Sequence, residues 1–452
     1  MGEESLRRLP RMDALLERAG GLLSRWSRPV VAALLREVLE RARADVRAGA
    51  PPPDAETLLE RAERTAARAL APSVVSAVNA TGTVLHTGLG RSPLPPGVVE
   101  EICALADGYC VLEVDRQTGK RTNRIGHLAS LLVRLFDVEA ALAVNNDAAA
   151  VMLALATLAS GGEVIVSRGE LVEIGGSFRL PEIIAAAGVR LVEVGTTNRT
   201  YLSDYERAMT TSTAALLKVH PSNYRMSGYT EDVPLRALAE LADGTGLPLI
   251  YDLGSGAVSD VGEPTVWRAL EAGPSLLTFS GDKLFGACQA GIILGRRALV
   301  ERINRNPLYR ACRLDKLKIA ILERAAVLYL AGAEDAFATL SLIRQSPKAA
   351  ARRARRLARR LRARGVAAEV KPSQAEVGGG TMPEVRLPSF AVEIAVEDGS
   401  EERLARRLRL GEPAVFSRVR ENTLVLDMFC VFDRQLSALA DAVAAAFADE
   451  TP

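Results

Sequence analysis

The most informative segment of this chain is Thr278-Phe-Ser-Gly-Asp-Lys-Leu-Phe-Gly-Ala-Cys-Gln-Ala-Gly-Ile-Ile-Leu-Gly295. It places Lys283 just after one apolar run, which predicts a strand, and before a second apolar run. Upstream, Leu247-Pro-Leu-Ile-Tyr-Asp-Leu-Gly-Ser-Gly256 places Asp252 at the end of another predicted strand. Because the carboxyl ends of parallel strands share one edge of a sheet, we expect the two side chains to converge there.

A lysine and an aspartate in this arrangement indicate pyridoxal phosphate as the cofactor. The lysine amine forms the Schiff base, while a carboxylate beside the pyridine nitrogen keeps that nitrogen protonated, so that the ring draws electrons from the substrate α-carbon. An isolated lysine in a Gly-Asp-Lys turn is usually a solvated loop residue. The preceding strand and the upstream Asp252 favour the cofactor interpretation for Lys283.

Short β-branched runs alternate with helical stretches from about Val75 to Ala325, which predicts an α/β fold with a mostly parallel central sheet. We therefore expect a catalytic domain over residues 76–325. Its predicted strands are Glu163–Ser167, Arg190–Val194, Ala214–Val219, Leu247–Tyr251, Leu276–Ser280 and Gly291–Gly295.

The segments on either side of this region have different patterns. Residues 1–75 show helical spacing broken by prolines and glycines, which predicts a small helical domain with helices near Pro29–Ala48 and Asp54–Ala71. Residues 326–452 predict a smaller C-terminal α+β domain, since an Ala and Arg-rich helical stretch is followed by strand-like runs and a final helix. These later elements are Phe390–Ala395, Thr423–Asp427 and Arg434–Ala448.

Composition limits the class of protein. Apolar residues make up 48% of the 452 residues, but no uninterrupted apolar run of about 18 residues occurs, so we expect no membrane span. The N-terminus lacks the apolar region of a secretory signal, and the five scattered cysteines lack metal-ligand spacing. We therefore expect a cytoplasmic protein without a metal site. A net charge of +2 means that a nucleic-acid partner would have to be held by local basic patches.

An anion site is predicted at Ala143-Val-Asn-Asn-Asp-Ala-Ala-Ala-Val-Met152, where a strand end turns into an alanine-rich helix. Free backbone N–H groups at such a helix start bind phosphate, which makes Asn145, Asn146 and Ala148 candidate cofactor-binding residues. The same segment is also typical of a helix that is merely well capped. Asp147 would repel a phosphate, so its side chain must cap the helix or point away if the site is real.

Two basic regions are candidates for binding RNA phosphates. One is the helical domain, and the other is the run from Lys348 to Arg364, which contains no acidic residue. A solvated helix face in an arginine-rich chain is the more common explanation for the first region, and for the second region it is at least as common as RNA binding. The arginines of the first region are Arg7, Arg8, Arg11, Arg25, Arg28, Arg36, Arg41, Arg43 and Arg47.

The chain resembles the bacterial selenocysteine synthase family, the L-seryl-tRNA(Sec) selenium transferases, from about Leu6 through the C-terminal domain. The resemblance implies a fold-type-I pyridoxal-phosphate enzyme, an N-terminal domain that binds tRNA, and a homodecamer of five dimers. It rests on Asn79-Ala-Thr-Gly-Thr-Val-Leu-His-Thr-Gly-Leu-Gly-Arg91, Ser167-Arg-Gly-Glu-Leu-Val-Glu-Ile-Gly-Gly-Ser-Phe-Arg179, Glu193-Val-Gly-Thr-Thr-Asn-Arg199, Val219-His-Pro-Ser-Asn-Tyr-Arg225 and Ser280-Gly-Asp-Lys283.

The resemblance also implies roles for particular residues. It places the Schiff-base lysine at Lys283, within the cofactor motif that begins at Ser280, and the carboxylate for the pyridine nitrogen at Asp252. It places the selenophosphate-binding arginines at Arg91, Arg310 and Arg313. Guanidinium groups suit this task because they bind anionic oxygens through two parallel hydrogen bonds.

The implied reaction converts seryl-tRNA(Sec) to selenocysteinyl-tRNA(Sec) with selenophosphate, through a pyridoxal-phosphate aldimine and an aminoacrylyl intermediate. One departure from the family pattern is Phe429, which stands where an arginine is expected. Two other classes stay open at this point. One is a pyridoxal-phosphate lyase that acts on a small free amino acid, although such an enzyme has no use for the extra helical domain. The other is a tRNA-binding scaffold without catalysis, although such a scaffold has no use for Lys283 and Asp252.

Overall fold

The computed structural model describes residues 2–174, 178–396, 399–420 and 422–448. Gly175, Gly176 and Ser177, which belong to the second family-like segment, lie outside the described residues. The chain divides into two compact units, Met1–Ser76 and Ala77–Pro452. Each unit has its own hydrophobic core.

The first unit is helical, as predicted. Its longest helix has an apolar stripe in which Val31, Leu35 and Val38 pack against the neighbouring helices. The following helix is capped by Asp54, whose side chain accepts a hydrogen bond from the Thr57 N–H at 2.8 Å. The helices are α1 (Gly2–Arg7), α2 (Met12–Arg18), α3 (Gly20–Leu23), α4 (Arg28–Arg47) and α5 (Ala55–Ala69).

The second unit contains all the strands of the described chain. Four predicted strands, Glu163–Ser167, Arg190–Val194, Leu276–Ser280 and Gly291–Gly295, have the bounds expected from the sequence. The strands are β1 (Ala77–Ala80), β2 (Ala140–Val144), β3 (Glu163–Ser167), β4 (Glu173–Ile174), β5 (Phe178–Arg179), β6 (Arg190–Val194), β7 (Thr213–Val219), β8 (Leu249–Gly254), β9 (Leu276–Ser280), β10 (Gly291–Gly295), β11 (Glu369–Gly378), β12 (Thr381–Ala395), β13 (Ala414–Arg420) and β14 (Thr423–Asp427).

The helices of the second unit cover the sheets and close the apolar core between them. They are α6 (Pro96–Ala106), α7 (Gly126–Phe136), α8 (Asp147–Leu158), α9 (Leu180–Ala186), α10 (Leu202–Ala208), α11 (Leu235–Thr245), α12 (Val266–Glu271), α13 (Arg297–Arg305), α14 (Pro307–Cys312), α15 (Lys316–Leu330), α16 (Ala338–Arg344), α17 (Pro347–Arg362), α18 (Glu401–Leu410) and α19 (Leu436–Ala448).

Within the described residues, the central sheet has seven strands in the order β2-β10-β9-β8-β7-β3-β6. Strands β9, β8, β7, β3 and β6 pair in parallel, whereas β10 runs antiparallel to both β2 and β9. Helices on the sheet bury these strands, which accounts for their continuous apolar sequences. The prediction of an α/β fold with a mostly parallel central sheet is confirmed.

A smaller sheet, in which the described residues form five strands, has the order β1-β13-β14-β12-β11. Strand β1 pairs in parallel with β13, although it comes from the N-terminal end of the unit and lies far from β13 in sequence. The segment assigned to a catalytic domain therefore contributes a strand to the C-terminal sheet. A boundary between residues 325 and 326 would also fall inside α15, whose side chains pack in the core of the central sheet. The three domain ranges stay a prediction.

Among the described residues, no helix is both long and apolar enough to cross a membrane.

Candidate active site

A cavity of about 350 Å³ opens at the carboxyl edge of the central sheet. It lies where β8 and β9 end and where α8 begins, which is the edge at which parallel α/β sheets bind ligands. The residues that line it are Thr87, Arg91, Asn146, Asp147, Ala148, Ile174, Phe178, Val219, His220, Ser222, Asp252, Gly254, Ser280, Asp282, Lys283 and Gln289.

Lys283 reaches this cavity from the tight turn that follows β9, and its side chain is buried. Gly281 makes the turn possible, because a Cβ at this position would lie 2.6 Å from the Cys288 carbonyl oxygen. The Gly281 N–H donates to the Ala290 carbonyl at 2.9 Å, which ties the turn to the segment before β10. The Leu284 N–H also donates to the Ser255 carbonyl at 3.0 Å, so backbone hydrogen bonds hold the chain on both sides of Lys283.

Asp252 lies on β8, beside the lysine turn. It pairs with Thr278 in the sheet register, and the Thr278 hydroxyl donates to Asp252 Oδ1 at 3.4 Å. Burial raises the pKa of the Asp252 carboxyl above its ordinary value, while the nearby Lys283 amine opposes the rise. A Cβ at Gly254, which has a left-handed φ of +68°, would lie 3.9 Å from Lys283 Nζ and 4.0 Å from Asp252 Oδ1. These distances are ordinary contacts, so it is the left-handed φ rather than the space that favours glycine here.

The N-terminus of α8 forms the cavity wall predicted as an anion site. The Asn146 side chain caps the helix by accepting the Ala149 N–H at 2.8 Å. Helix geometry leaves the N–H groups of Asp147 and Ala148 without intrahelical acceptors, so they are available to a ligand. Asn145 does not line the cavity in the described chain; its N–H donates to the Cys312 carbonyl at 2.9 Å.

Asp147 neither caps α8 nor points away from the cavity. Its Oδ2 accepts a hydrogen bond from the Ser280 hydroxyl at 3.3 Å, and it lines the cavity beside Asp252. Burial, and then the charge of Asp252, raises the pKa of Asp147 well above its ordinary value. This rise in pKa favours the uncharged carboxyl, which repels a phosphate less than a carboxylate does.

Arg91 and Asp282 form an ion pair at the cavity mouth, with Arg91 Nη1 2.8 Å from Asp282 Oδ2. Asp282 immediately precedes Lys283, so the pair connects the Gly-Leu-Gly-Arg segment to the lysine turn. Arg91 has a left-handed φ of +58°, an uncommon conformation for a residue with a side chain. Its Nε has no hydrogen-bond partner among the described residues. Arg91 thus has a buried donor that no group of the described chain pairs.

Arg310 and Arg313 come from α14 and the residue after it, and neither lines the cavity in the described chain. Arg310 is exposed, whereas Arg313 is half-buried and has its Nη1 4.0 Å from Glu113 Oε1. Arg313 also forms an isolated bridge with Val144, at the end of β2. The two arginines therefore belong to the segment that contacts Val144 and Asn145, just before α8. Neither arginine lines the cavity that contains Lys283 in the described chain.

Three polar residues that line the cavity, Asp282, Ser222 and His220, are not assigned a role by the sequence patterns above. His220 directly follows β7, and its Nε2 lies 2.8 Å from Glu263 Oε2. The rule that located Asp252, a polar residue at the carboxyl end of a buried parallel strand, also applies to His220 and could have found it.

Phe429, which replaces an expected arginine, is buried in an apolar cluster with Val84, Leu85 and Leu284. The same cluster includes Leu284, the residue that follows Lys283. It does not line the cavity in the described chain.

With this geometry established, comparison with known proteins identifies the family. The model of the L-seryl-tRNA selenium transferase family matches residues 77–432, and the model of the selenocysteine synthase N-terminal region matches residues 6–43. The chain belongs to the L-seryl-tRNA selenium transferase family.

Curated relatives match nearly the whole chain. The L-seryl-tRNA(Sec) selenium transferase of Nitratidesulfovibrio vulgaris is 43% identical over 97% of this chain and 98% of its own length. The enzyme of the same name from Moorella thermoacetica is 44% identical, with coverage of 97% and 96%. The predicted family membership is confirmed.

A solved structure supports the fold. D-glucosaminate-6-phosphate ammonia-lyase superposes with a TM-score of 0.58 at 20% identity, covering 85% of this chain and 99% of its own. At this identity the likeness concerns the fold alone. Together with the family, it confirms the predicted fold-type-I class.

The cavity fits pyridoxal phosphate. It has a buried amine, a buried carboxylate and a helix N-terminus at one edge, and its volume lies within the range of small-ligand sites. Among the described residues, the buried atoms Asp147 Oδ1, Asp282 Oδ1 and Arg91 Nε at its wall have no hydrogen-bond partner. Buried polar atoms are normally paired, so these positions indicate that a polar ligand completes the site. The cofactor prediction is confirmed at the level of family and fold.

Proposed function

We propose that this chain is a pyridoxal-phosphate-dependent transferase that converts seryl-tRNA(Sec) to selenocysteinyl-tRNA(Sec), with selenophosphate as the selenium donor. The observation that carries the proposal is the presence of Lys283 and Asp252 at one cavity in a member of this family. The near-complete match to relatives named L-seryl-tRNA(Sec) selenium transferase supports the choice of substrate.

Particular residues would hold the cofactor. Lys283 would bind its aldehyde carbon, Asp252 its ring nitrogen, and the N–H groups of Asp147 and Ala148 its phosphate. Ser280 and Asn146 support this arrangement, the first by donating to Asp147 and the second by capping α8. When bound, pyridoxal phosphate supplies an electron-accepting ring for chemistry at the serine α-carbon.

The chain's own groups then handle the protons. Once the serine α-amine has taken its place on the cofactor, the Lys283 amine would be free to act as the base that removes the proton on the serine α-carbon, since it is buried and comes from a turn fixed by backbone hydrogen bonds. The Asp252 carboxylate holds a proton at the ring nitrogen, and its buried position excludes water from that contact. The serine β-hydroxyl leaves as water, and selenium from selenophosphate binds to the β-carbon while a proton returns to the α-carbon. Water then cleaves the Se–P bond and releases phosphate, so the net change replaces the hydroxyl with a selenol.

Binding of the anionic selenium donor is proposed for Arg91, Arg310 and Arg313. Arg91 is at the cavity, and its free Nε together with its link to Asp282 makes it the first candidate. Arg310 and Arg313 are assigned from the family resemblance. The bridge of Arg313 to Val144 supports the assignment, because Val144 ends the strand that leads into α8.

The tRNA partner is proposed to bind the N-terminal helical unit, which we regard as a domain of about 75 residues. The match of residues 6–43 to the selenocysteine synthase N-terminal region supports this assignment. We propose that residues 76–325 and 326–452 form the catalytic and C-terminal domains, and that the chain assembles as a decamer of five dimers. Because its substrate is a charged tRNA, we place the protein in the cytoplasm.

The rival function, a lyase for a small free amino acid, has less support. The near-complete match to relatives named L-seryl-tRNA(Sec) selenium transferase, and the match of residues 6–43 to the selenocysteine synthase N-terminal region, favour the tRNA substrate. The fold likeness to an ammonia-lyase concerns the architecture and does not favour that reaction.

A conversion assay tests the proposal. Purified protein is incubated with seryl-tRNA(Sec) and selenophosphate, and in parallel with free serine and selenophosphate, with Lys283→Ala as the inactive control. We expect selenocysteine only on the tRNA and only with the unaltered protein. Absence of selenocysteinyl-tRNA, or equal turnover of free serine, would overturn the proposed function.

A further inference from the structure

Helix α17 has a row of exposed basic side chains along one face, here called the α17 stripe. It consists of Lys348, Arg352, Arg355 and Arg359. Their spacing of four, three and four residues places them on one side of an α-helix, with successive residues about 4.5–6 Å apart along the axis. The row extends over about 16 Å.

The opposite face of α17 accounts for the folding of the helix. Ala350, Ala354, Leu357 and Leu361 are fully buried and pack in the core beside the C-terminal sheet. This apolar face needs no arginine on the exposed side, where alanine, glutamate or glutamine would serve the helix equally well. The stripe is therefore not explained by the fold.

Other arginines on α17 have partners within the chain. Arg356 pairs with Asp433, Arg364 (just beyond the helix) has its Nη2 2.5 Å from Asp441, and Arg362 donates to the Ala368 carbonyl at 2.7 Å. The stripe differs, because none of its side chains has a hydrogen-bond or ion-pair partner among the described residues.

The stripe also carries an electrostatic cost. Helix α17 contains no acidic residue, and like charges three or four residues apart repel one another. Lys348 lies in the first turn, where the helix dipole disfavours a cation. Arg359, near the C-terminus, is favoured by the dipole, but the dipole does not explain Arg352 or Arg355. An anionic partner along the row would relieve this repulsion.

We propose that the α17 stripe binds the phosphate backbone of the tRNA substrate, as a contact surface in addition to the N-terminal unit. The proposal rests on the proposed function, which supplies a tRNA partner. A row about 16 Å long suits a polyanion with regularly spaced charges and is too extended for one small phosphate. Exposed arginines suit phosphates, because the guanidinium fork can bind two oxygens at once.

The test compares two triple variants of the full-length protein loaded with cofactor. The stripe variant combines Arg352→Gln, Arg355→Gln and Arg359→Gln. The control combines Arg356→Gln, Arg362→Gln and Arg364→Gln, which removes the same charge from the same segment at arginines that already have partners. Circular dichroism and cofactor absorbance check that both variants are folded. Affinity for tRNA(Sec) is measured by fluorescence anisotropy across a salt series.

We expect the stripe variant to bind tRNA(Sec) about tenfold or more weakly at low salt. The slope of log affinity against log salt concentration should be smaller in magnitude by about 2 to 3, which is roughly one for each phosphate that the variant no longer binds. The control should keep the slope of the unaltered protein. Unchanged affinity and slope in the stripe variant would overturn the proposal, and so would an equal decrease in both variants, because this would reflect net charge alone.

The conversion assay separates this proposal from the proposed function. If the unaltered protein produces selenocysteinyl-tRNA(Sec) while the stripe variant binds tRNA normally, the function stands and the stripe proposal is wrong. If the unaltered protein makes no selenocysteinyl-tRNA but the stripe variant alone shows reduced tRNA affinity and slope, the proposed function is wrong and the RNA-binding stripe stands.

Discussion

Replacing Asp252 with asparagine should have opposite effects on the cofactor-free and the cofactor-loaded protein. Asparagine has almost the same shape and can still accept from the Thr278 hydroxyl, so packing is preserved. It cannot hold a proton on the pyridine nitrogen. A hydrogen bond to a charged group contributes about 1.5–3 kcal/mol. Cofactor affinity should therefore fall about 10- to 150-fold, and turnover about 100- to 1,000-fold, as for removal of one preorganised electrostatic interaction.

In the cofactor-free protein the same change should stabilise the fold at neutral pH. Burial raises the pKa of Asp252 in the folded chain, and the net direction stays upward even with Lys283 nearby. An aspartate whose pKa is higher in the folded than in the unfolded chain contributes its full stability at pH values below its unfolded-state pKa, which is near 4. This contribution is lost as the pH rises through the pKa of the folded state. Asparagine has no charge to bury. The melting temperature of the cofactor-free variant should therefore exceed that of the unaltered protein at neutral pH, and the difference should shrink toward low pH.

The measurements are cofactor titration by absorbance and thermal unfolding of the stripped protein over a pH series. Asp427→Asn is a suitable control, because Asp427 is also buried but accepts from Ser373, Ser389 and Arg418, away from the cavity. That variant should lose stability and keep its cofactor affinity. The reasoning about Asp252 is refuted if Asp252→Asn binds the cofactor as tightly as the unaltered protein, or if its stripped form is less stable at neutral pH.

Three further predictions concern the lysine, the arginines and the N-terminal unit. Lys283→Ala should abolish the absorbance band that borohydride bleaches, and survival of the band and of the covalent cofactor adduct would contradict the assignment. Arg310→Ala or Arg313→Ala should spare seryl-tRNA binding but reduce selenium transfer, and Arg91→Lys should reduce it because lysine cannot bind two oxygens in parallel; normal selenocysteinyl-tRNA output would remove that residue from the site. Removal of residues 1–70 should leave a folded, cofactor-loaded protein with weaker and less salt-dependent tRNA binding, whereas equal affinity would place recognition elsewhere.

Local patterns in the sequence predicted the framework of the site. Strands such as β3 and β9 were found at their observed bounds because a buried parallel strand needs an unbroken apolar run, which is a property of adjacent residues. The same rule located Lys283 and Asp252, since polar residues that follow such runs reach the same edge of the sheet. The Asn146 cap of α8 is equally local, since it joins residues three positions apart.

Contacts between distant segments could not be read from these patterns. The Arg91 ion pair joins residues 191 positions apart, and β1 pairs with β13 across most of the second unit. Neither contact has a local signal, because the apolar pattern of a strand shows that it is buried but does not select its neighbour. The α17 stripe likewise has no local signal that sets it apart. It differs from the neighbouring arginines because those have partners, whereas the stripe has none in the described part of the chain. Spacing along the chain sets the conformation and the buried face of each element, whereas the pairing of side chains from remote segments depends on how those elements pack in three dimensions.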